Sequence, residues 1–268
     1  MLYIVATPIG NLEDITLRAL RVLKEADIIA AEDTRHTRKL LSFYSIKTRL
    51  ISFHEHSHKE KRDQIVDMLK QGQNVALVSD AGTPLISDPG AALVTEAAAL
   101  GLPVTALPGA CAAIAAFSLS GLGSPFCFVG FFSKKTSERR RQIKAAAQNQ
   151  MPSIIYESPH ALKETLFALK ETAGPTRHVI VAKELTKIHE YVFRGSLAQA
   201  CDAFSENIKG EYVLIVSGCE KKPDEVTDAQ IREAVNAYIA GGMTKKDAAR
   251  AASDKLGVGK NRAYRLVL

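Results

Sequence analysis

The sequence predicts an α/β protein: two α/β units in succession, then a small helical C-terminal piece. Three observations carry that expectation. Short apolar runs alternate with helix-length amphipathic segments through the first 119 residues, the pattern of a largely parallel sheet covered on both faces. Those apolar runs end in loops dense in Asp, Glu, Gly and Pro. After the polar, Pro-bearing stretch EKKPD (220–224), the chain changes to short helices with many basic residues.

In the first unit (1–119), Leu2–Val5 reads as a strand closed by Thr7-Pro8-Ile9-Gly10. Ile15 to Lys24 has helical spacing, and Ile28–Ala31 is a second strand ending at Glu32-Asp33-Thr34-Arg35. Thr37 to Tyr44 reads as a helix and Arg49–Ser52 as a strand. Lys59 to Gln71 is an amphipathic helix with Ile65, Met68 and Leu69 inward. Val75–Val78 is a strand that runs into SDAGTPLISDPG. Ala91 to Leu100 is a helix, Val104–Leu107 a strand, and Ala110 to Leu119 a helix of small residues.

The second unit (120–222) offers strands at Phe126–Phe131, Ser153–Tyr156, His178–Ala182, Glu190–Phe193 and Tyr212–Val216. Its helices fall at Thr136–Ala147, Pro159–Glu171 and Ser196–Phe204. The late strands have little helix between them, so this sheet is expected to be mixed. In the last piece (223–268), Asp228 to Ala240 is a helix closed by Gly241-Gly242. Thr244 caps KKDAARAASDKLG, and KNRAYRLVL follows Gly257-Val258-Gly259, a helix-turn-helix-like arrangement. From Thr244 onward seven basic residues face two acidic ones, a footprint that attracts phosphate.

Composition excludes several classes. Hydrophobic residues at 46% and charged residues at 24% are those of a globular chain. Cys111, Cys127, Cys201 and Cys219 are scattered without a CxxC, which argues against a metal cluster or disulfide frame and fits a reducing cytoplasm. The first residues carry no basic leader. Ala97 to Phe132 lacks charge but is cut by Gly101, Pro103, Pro108, Gly109, Gly121, Gly123 and Pro125. No segment between the breaks approaches the roughly 20 residues of a membrane span, so a soluble protein is expected. A net charge of +6 is compatible with a polyanionic partner without requiring one.

The loops carry the chemistry. In open α/β sheets a ligand sits outside the carboxyl ends of the strands, and the 78–90 loop brings Asp80, Gly82, Thr83 and Asp88 there. Pro108-Gly109-Ala110-Cys111-Ala112-Ala113 sets small side chains and unpaired N–H groups at a helix start, where a carboxylate or phosphate can approach the backbone. Tyr156-Glu157-Ser158-Pro159-His160 and Ala182-Lys183-Glu184 are polar strand ends of the second unit, and Lys209-Gly210-Glu211 precedes its last strand. There is no GxGxxG, GxxxxGK[ST] or GxSxG, so a Rossmann dinucleotide site, a P-loop and a nucleophile elbow all lose support.

His54-Glu55-His56-Ser57-His58 formally matches HExxH. That zinc pattern needs a helix to bring both imidazoles to one face, and here it follows a strand directly. Polar loop residues near a substrate are the favoured reading, and no metal is expected.

Taken together, VATPIGNLEDIT (5–16), AEDTRHTRKLL (31–41), VSDAGTPLISDPG (78–90), LPGACAAIAA (107–116), YESPHAL (156–162), VAKELTKIHEYVFRG (181–195) and KGEYVLIVSG (209–218) resemble the tetrapyrrole methylase superfamily, in particular its branch acting on 16S ribosomal RNA. The resemblance covers nearly the whole chain in order. It implies two α/β domains of that type holding S-adenosyl-L-methionine in the cleft between them. By motif position, Pro8, Asp80, Ala81, Thr83, Ile86, Ala110, Ala112, Tyr156, Ala182 and Glu211 would bind the cofactor. It further implies 2′-O-methylation of a cytidine ribose in 16S rRNA or the 30S subunit, and a homodimer. Ser57 stands where that branch has Asn.

Methyl transfer to a ribose hydroxyl needs alignment and a proton acceptor. Glu184 and Glu32 are the acceptors considered, with Lys183 stabilising developing negative charge; a structural Lys183–Glu184 ion pair is the competing reading. Arg35, Arg38, Lys39, His54, Arg139, Arg140 and Arg141, with Lys245, Lys246, Lys260 and Arg262 of the tail, would hold RNA through phosphates. Two rivals stand beside this reading. A tetrapyrrole or corrinoid carbon methyltransferase predicts no basic tail, and a DNA-binding regulator leaves both α/β units unexplained.

Overall fold

The computed structural model describes residues 1–54, 59–123, 125–206, 208–220 and 226–266. Two compact units divide the chain: Met1–Cys219, which takes in both α/β stretches expected at 1–119 and 120–222 and is the first unit from here on, and Glu220–Leu268, the second. Most of the EKKPD stretch lies outside the described residues, as do the last two residues.

The first unit contains two five-stranded sheets. Sheet one is built from β1 (Leu2–Val5), β2 (Ile28–Ala31), β3 (Leu50–Ser52), β4 (Val75–Val78) and β5 (Val104–Leu107), in the order β3-β2-β4-β1-β5. All its pairings are parallel. Side chains alternate between faces along each strand. Leu2, Ile4, Ile28, Ala30, Val75 and Leu77 pack on one side with Ile65, Val66 and Leu69 of α3 (Lys59–Lys70) and with Leu93 and Ala97 of α4 (Ala91–Ala99). Val5, Ile29, Ala31, Ala76, Val78 and Leu107 pack on the other side, where α1 (Leu17–Glu25) presents Ala19, Val22 and Leu23 and α2 (Thr34–Phe43) presents Leu41. Burial on both faces explains why the strands read as unbroken apolar runs. Each fully buried Leu or Ile contributes about 1.5–3 kcal/mol.

Sheet two comprises β6 (Cys127–Phe131), β7 (Ser153–Glu157), β8 (His178–Lys183), β9 (Tyr191–Ser196) and β10 (Tyr212–Val216), ordered β6-β7-β10-β8-β9. Only β6–β7 is parallel, so the sheet is mixed. One face packs under α6 (Thr136–Gln148), α7 (Leu162–Ala173) and α8 (Leu197–Ala203) through Ile143, Leu162, Leu166, Leu169, Leu197 and Ala200. Its other face is covered by α5 (Ala112–Ser120), whose Ala113 and Ala116 lie against Ile154, Ile180, Ala182, Val213 and Ile215. The helix that leaves sheet one thus packs on sheet two, and its alanines let the sheet approach closely.

Local boundaries differ from expectation where caps decide them. Thr16 accepts the Ala19 N–H and starts α1 at Leu17, and Asp33 accepts the Arg35 N–H and starts α2 at Thr34, three residues earlier than its spacing predicts. Ser196 forms a capping box with Gln199, so β9 runs straight into α8.

In the second unit, α9 (Asp228–Ala240), α10 (Lys245–Leu256) and α11 (Lys260–Arg265) enclose a small core of Ile231, Val235, Ala248, Ala249, Ala252 and Ala263. Thr227 and Thr244 cap the first two helices, and Gly257 in the left-handed region (φ 65°) ends α10. Arg262 Nη2 stands 2.8 Å from Asp228 Oδ1 and ties α11 to the start of α9.

Candidate active site

A cavity of about 490 Å³ opens between the two sheets of the first unit, within the roughly 300–1,000 Å³ usual for small-molecule pockets. From sheet one it takes Ile9 after β1, Glu32 after β2, Asp80 to Thr83 and Ile86 to Asp88 after β4, and Cys111 and Ala112 after β5. From sheet two it takes Phe131 at the end of β6, Tyr156 to Pro159, Ala182 and Leu185, and Glu211 to Val213 at β10. On the parallel sheet every contributor lies at a carboxyl strand end, as the topology requires.

Main-chain and hydroxyl bonds lace these loops together. Thr7 and Gly82 exchange two backbone bonds of 2.9 Å each, joining the loop after β1 to the loop after β4. The Thr83 hydroxyl donates to the Ala110 carbonyl (2.9 Å). The Tyr156 hydroxyl, on sheet two, accepts the Ala113 N–H at the start of α5 (3.0 Å). Two glycines allow the close approaches. A Cβ on Gly109 would stand 2.6 Å from that of Ala6. Gly130, at φ +70° in the register shift of β6, would bring a Cβ to 2.9 Å from Ser87 Oγ.

Among the described residues, five carboxyl groups border the cavity (Glu32, Asp80, Asp88, Glu157 and Glu211), and none of its lining residues is basic. Asp80 accepts the Asp33 N–H (3.0 Å). Asp33 itself is held well below the usual carboxylate range by its bonds to the Arg35 side chain and N–H. Glu157 is nearly fully buried. It accepts the Ser158 N–H (2.8 Å) and the Thr165 hydroxyl, with Arg139 Nη2 3.5 Å away. Glu211 Oε2 meets Lys187 Nζ at 2.8 Å. Asp88 is pushed up to about 6, first by burial, then by the neighbouring charge of Glu32. Burial also raises the Tyr156 phenol well above its usual range. An acidic wall with small side chains suits a compact organic cation and opposes a phosphate-rich ligand.

Asp80, Ala81, Thr83, Ile86, Ala112, Tyr156, Ala182 and Glu211, expected at a cofactor site, therefore border one cavity, together with Glu32. Pro8 and Ala110, expected at the same site, are not among the lining residues; the Ala110 carbonyl accepts from the lining residue Thr83, and Pro8 precedes Ile9 in the chain. Lys183 and Glu184 are outside the lining. The Glu184 carboxylate receives Lys187 Nζ (2.9 Å) and the Glu211 N–H (2.9 Å), contacts that hold it below its ordinary value. The sequence placed Asp88 with Asp80 at the ligand-binding end of the sheet without giving it a role of its own, and it did not mark out Ile9, Phe131 and Leu185 as wall residues. Leu185 follows the AKE strand end, which was the available signal.

Of the residues expected to meet RNA, Arg35, Arg38, Lys39, Arg140 and Arg141 are at the surface, as are Lys245, Lys246, Lys260 and Arg262 of the helical unit. Arg139 turns inward. Its side chain is 14% exposed, bonded to Thr165 and set over the Phe132 ring at 5.8 Å, because the buried Glu157 carboxylate requires a cation. His54 belongs to the described residues, whereas Glu55, His56, Ser57 and His58 of the HExxH match lie outside them. Among the described residues no group of three or more His, Cys, Asp or Glu could hold a metal ion, and no helix is long and apolar enough to cross a membrane.

Residues 1–201 match the family model described as Tetrapyrrole (Corrin/Porphyrin) Methylases. Ribosomal RNA small subunit methyltransferase I of Bacillus subtilis (strain 168) is 43% identical, over 98% of this chain and 92% of its own length. Its counterpart from Synechocystis is also 43% identical, over 100% and 97%, and that of Escherichia coli O157:H7 43%, over 100% and 94%. Among solved structures, the methyltransferase CobJ superposes with a TM-score of 0.62 at 20% identity, over 81% of this chain and 94% of that one. Uroporphyrin-III-C-methyltransferase from Thermus thermophilus gives 0.59 at 20%, over 81% and 93%. At those identities the structures establish the fold, while the sequence relatives extend through the helical C-terminal unit as well. The chain belongs to the tetrapyrrole (corrin/porphyrin) methylase family, in the group of the ribosomal RNA small subunit methyltransferases I.

Proposed function

We propose that this chain methylates a cytidine ribose 2′-oxygen in 16S rRNA of the small ribosomal subunit, with S-adenosylmethionine as methyl donor. The observation that carries the reading is the acidic cavity between the sheets. Its carboxylates complement a ligand bearing a sulfonium and an ammonium, and Ala81, Gly82, Ala112 and Ala182 leave main chain open to the rest of the molecule. Asp80, Thr83, Tyr156, Ala182 and Glu211 would hold it. Bound there, S-adenosylmethionine supplies a methyl group already activated for displacement.

The protein's own share is then positioning. The laced loops fix the wall, and the two sheets together exclude water from the reacting atoms. Of the residues considered for proton handling, Glu32 borders the cavity. Glu184 acts from behind it by bracing Glu211 together with Lys187, and Lys183 is outside the lining. Arg38, Lys39, Arg140, Arg141 and the basic helices of the second unit hold RNA phosphates. In this reading the enzyme works as a cytoplasmic homodimer on RNA or on the assembled 30S particle.

The test is incubation with methyl-labelled S-adenosylmethionine and 30S particles from a strain lacking the modification. Label is expected in a 2′-O-methylated nucleoside after digestion of the 16S rRNA. Label that enters a tetrapyrrole and never RNA overturns the reading.

A further inference from the structure

We propose that Asp88 is the group that accepts the proton of the attacking ribose hydroxyl, with Glu32 beside it acting through its charge. The proposal rests on the methyltransferase reading above and deepens it. Asp88 sits on the cavity wall in the ISDPG segment, held by a backbone that few sequences adopt. Leu85 (φ 73°) and Ser87 (φ 67°) occupy the left-handed region without being glycine, and Gly90 follows at φ 129°. Backbone of that kind is retained where the surrounding structure enforces it, commonly at functional sites. Here the Gly130 bulge of sheet two lies close against Ser87, where a side chain on residue 130 would collide with it.

Partners separate the carboxylates of the wall. Asp80 is engaged by the Asp33 N–H, Glu157 by Thr165, Ser158 and Arg139, and Glu211 by Lys187. Each has lone pairs directed to a donor of the protein. Asp88 meets the Ser79 hydroxyl and otherwise faces like charge from Glu32 and Asp80, with the Tyr156 phenol on the opposing sheet. Burial and those two carboxylates raise its affinity for a proton to about 6, which places it ionised at neutral pH yet more basic than an ordinary Asp, the balance a general base needs. The step conserves atoms and charge. The ribose O–H breaks and its proton passes to Asp88, and the oxygen forms a bond to the methyl carbon. The electron pair of the broken carbon–sulfur bond stays on sulfur, which becomes a neutral thioether. Asp88 then returns its proton to solvent.

The test compares wild type, Asp88→Asn, Asp88→Glu and Glu32→Gln in two assays: calorimetric affinity for S-adenosylhomocysteine, and single-turnover methylation of 30S particles from pH 5 to 9. Wild type is expected to show a rate that rises with pH through one acid limb to a plateau, its midpoint at or below the value of the empty cavity because a bound cation favours the ionised carboxylate. Asp88→Asn should keep product affinity within about threefold, lose the rate by on the order of 100-fold or more, and lose the acid limb. Asp88→Glu should recover part of the rate, and Glu32→Gln should shift the limb to lower pH. The proposal is overturned if Asp88→Asn retains either rate or limb, if it abolishes binding instead of turnover, or if wild type has no acid limb. The last readout stands even if the variants fail to fold. Failure of wild type to methylate RNA at all, with product affinity intact, removes the underlying substrate assignment and the proposal with it.

Discussion

The Tyr156 hydroxyl, on the second sheet, accepts the N–H of Ala113 at the first turn of the helix that leaves the first sheet, at 3.0 Å. That bond joins the two halves of the cavity across their seam, and it satisfies a helix N-terminal donor that would otherwise be orphaned. Tyr156→Phe keeps the ring packing with Phe128 and Phe131 while removing the acceptor. A part-buried donor left unpaired costs about 1–3 kcal/mol. The variant is expected to melt several degrees lower and to bind S-adenosylhomocysteine at least several-fold more weakly, as checked by calorimetry and thermal melts. Unchanged affinity would show that the seam does not shape the site.

The arginine run 139–141 should divide by role. Arg139→Met leaves Glu157 as a buried carboxylate without its cation, which destabilises the fold by about 3 kcal/mol with little direct effect on RNA affinity. Arg140→Ala with Arg141→Ala should stay within about 0.5 kcal/mol in stability. It should flatten the logarithmic salt dependence of RNA binding by up to about 0.7–0.9 for each phosphate no longer neutralised. Urea titrations and binding isotherms across a salt series check both halves. Equal stability changes in the two variants would count against the inward assignment of Arg139.

How far the sequence could be read follows from the same residues. The parallel sheet was legible because strands such as VALV (75–78), apolar on both faces, end in shaped loops. The cavity was legible because those loops carry the chemistry. Arg139 was not, since three consecutive arginines look alike until Glu157 and Thr165 are brought beside one of them. The placement of α5 was hidden too: AAIAAFSLS (112–120) is apolar all round, so no stripe says which sheet will cover it. Asp33 lay in a strand-end cluster, and its capping role emerges only with the Arg35 N–H in position.

The helical unit should account for much of the RNA affinity. Lys245 and Lys246 are exposed at the start of α10, and replacing both by Ala leaves up to two phosphates without a cation. The logarithmic salt slope of 30S or rRNA binding is expected to fall by up to about 1.4–1.8, with S-adenosylhomocysteine affinity unchanged. A slope identical to wild type would remove this unit from the RNA interface.

Asp88 should make stability depend on pH in the direction opposite to an ordinary paired carboxylate. Its folded value is raised from 3.8 to about 6, so between those values the folded chain binds more protons than the unfolded one, and stability falls as pH rises. Above pH 6 the ionised group is a net cost. Because the site is partly open, solvent screening reduces that cost to on the order of 1 kcal/mol. Asp88→Asn is therefore expected to melt higher than wild type at pH 7.5 and to lose that advantage below about pH 4. A variant less stable at pH 7.5 would contradict this environment for Asp88.

Whether the acidic cavity between the two sheets holds S-adenosylmethionine is tested most directly by calorimetric titration of the folded protein with S-adenosylhomocysteine. Two temperatures are needed, so that a vanishing enthalpy at one is not mistaken for absence of binding. Saturable binding of one molecule per chain is expected, weakened by substitutions at Thr83 and Tyr156 and unaffected at Arg140. No saturable heat at either temperature would contradict the assignment of this cavity.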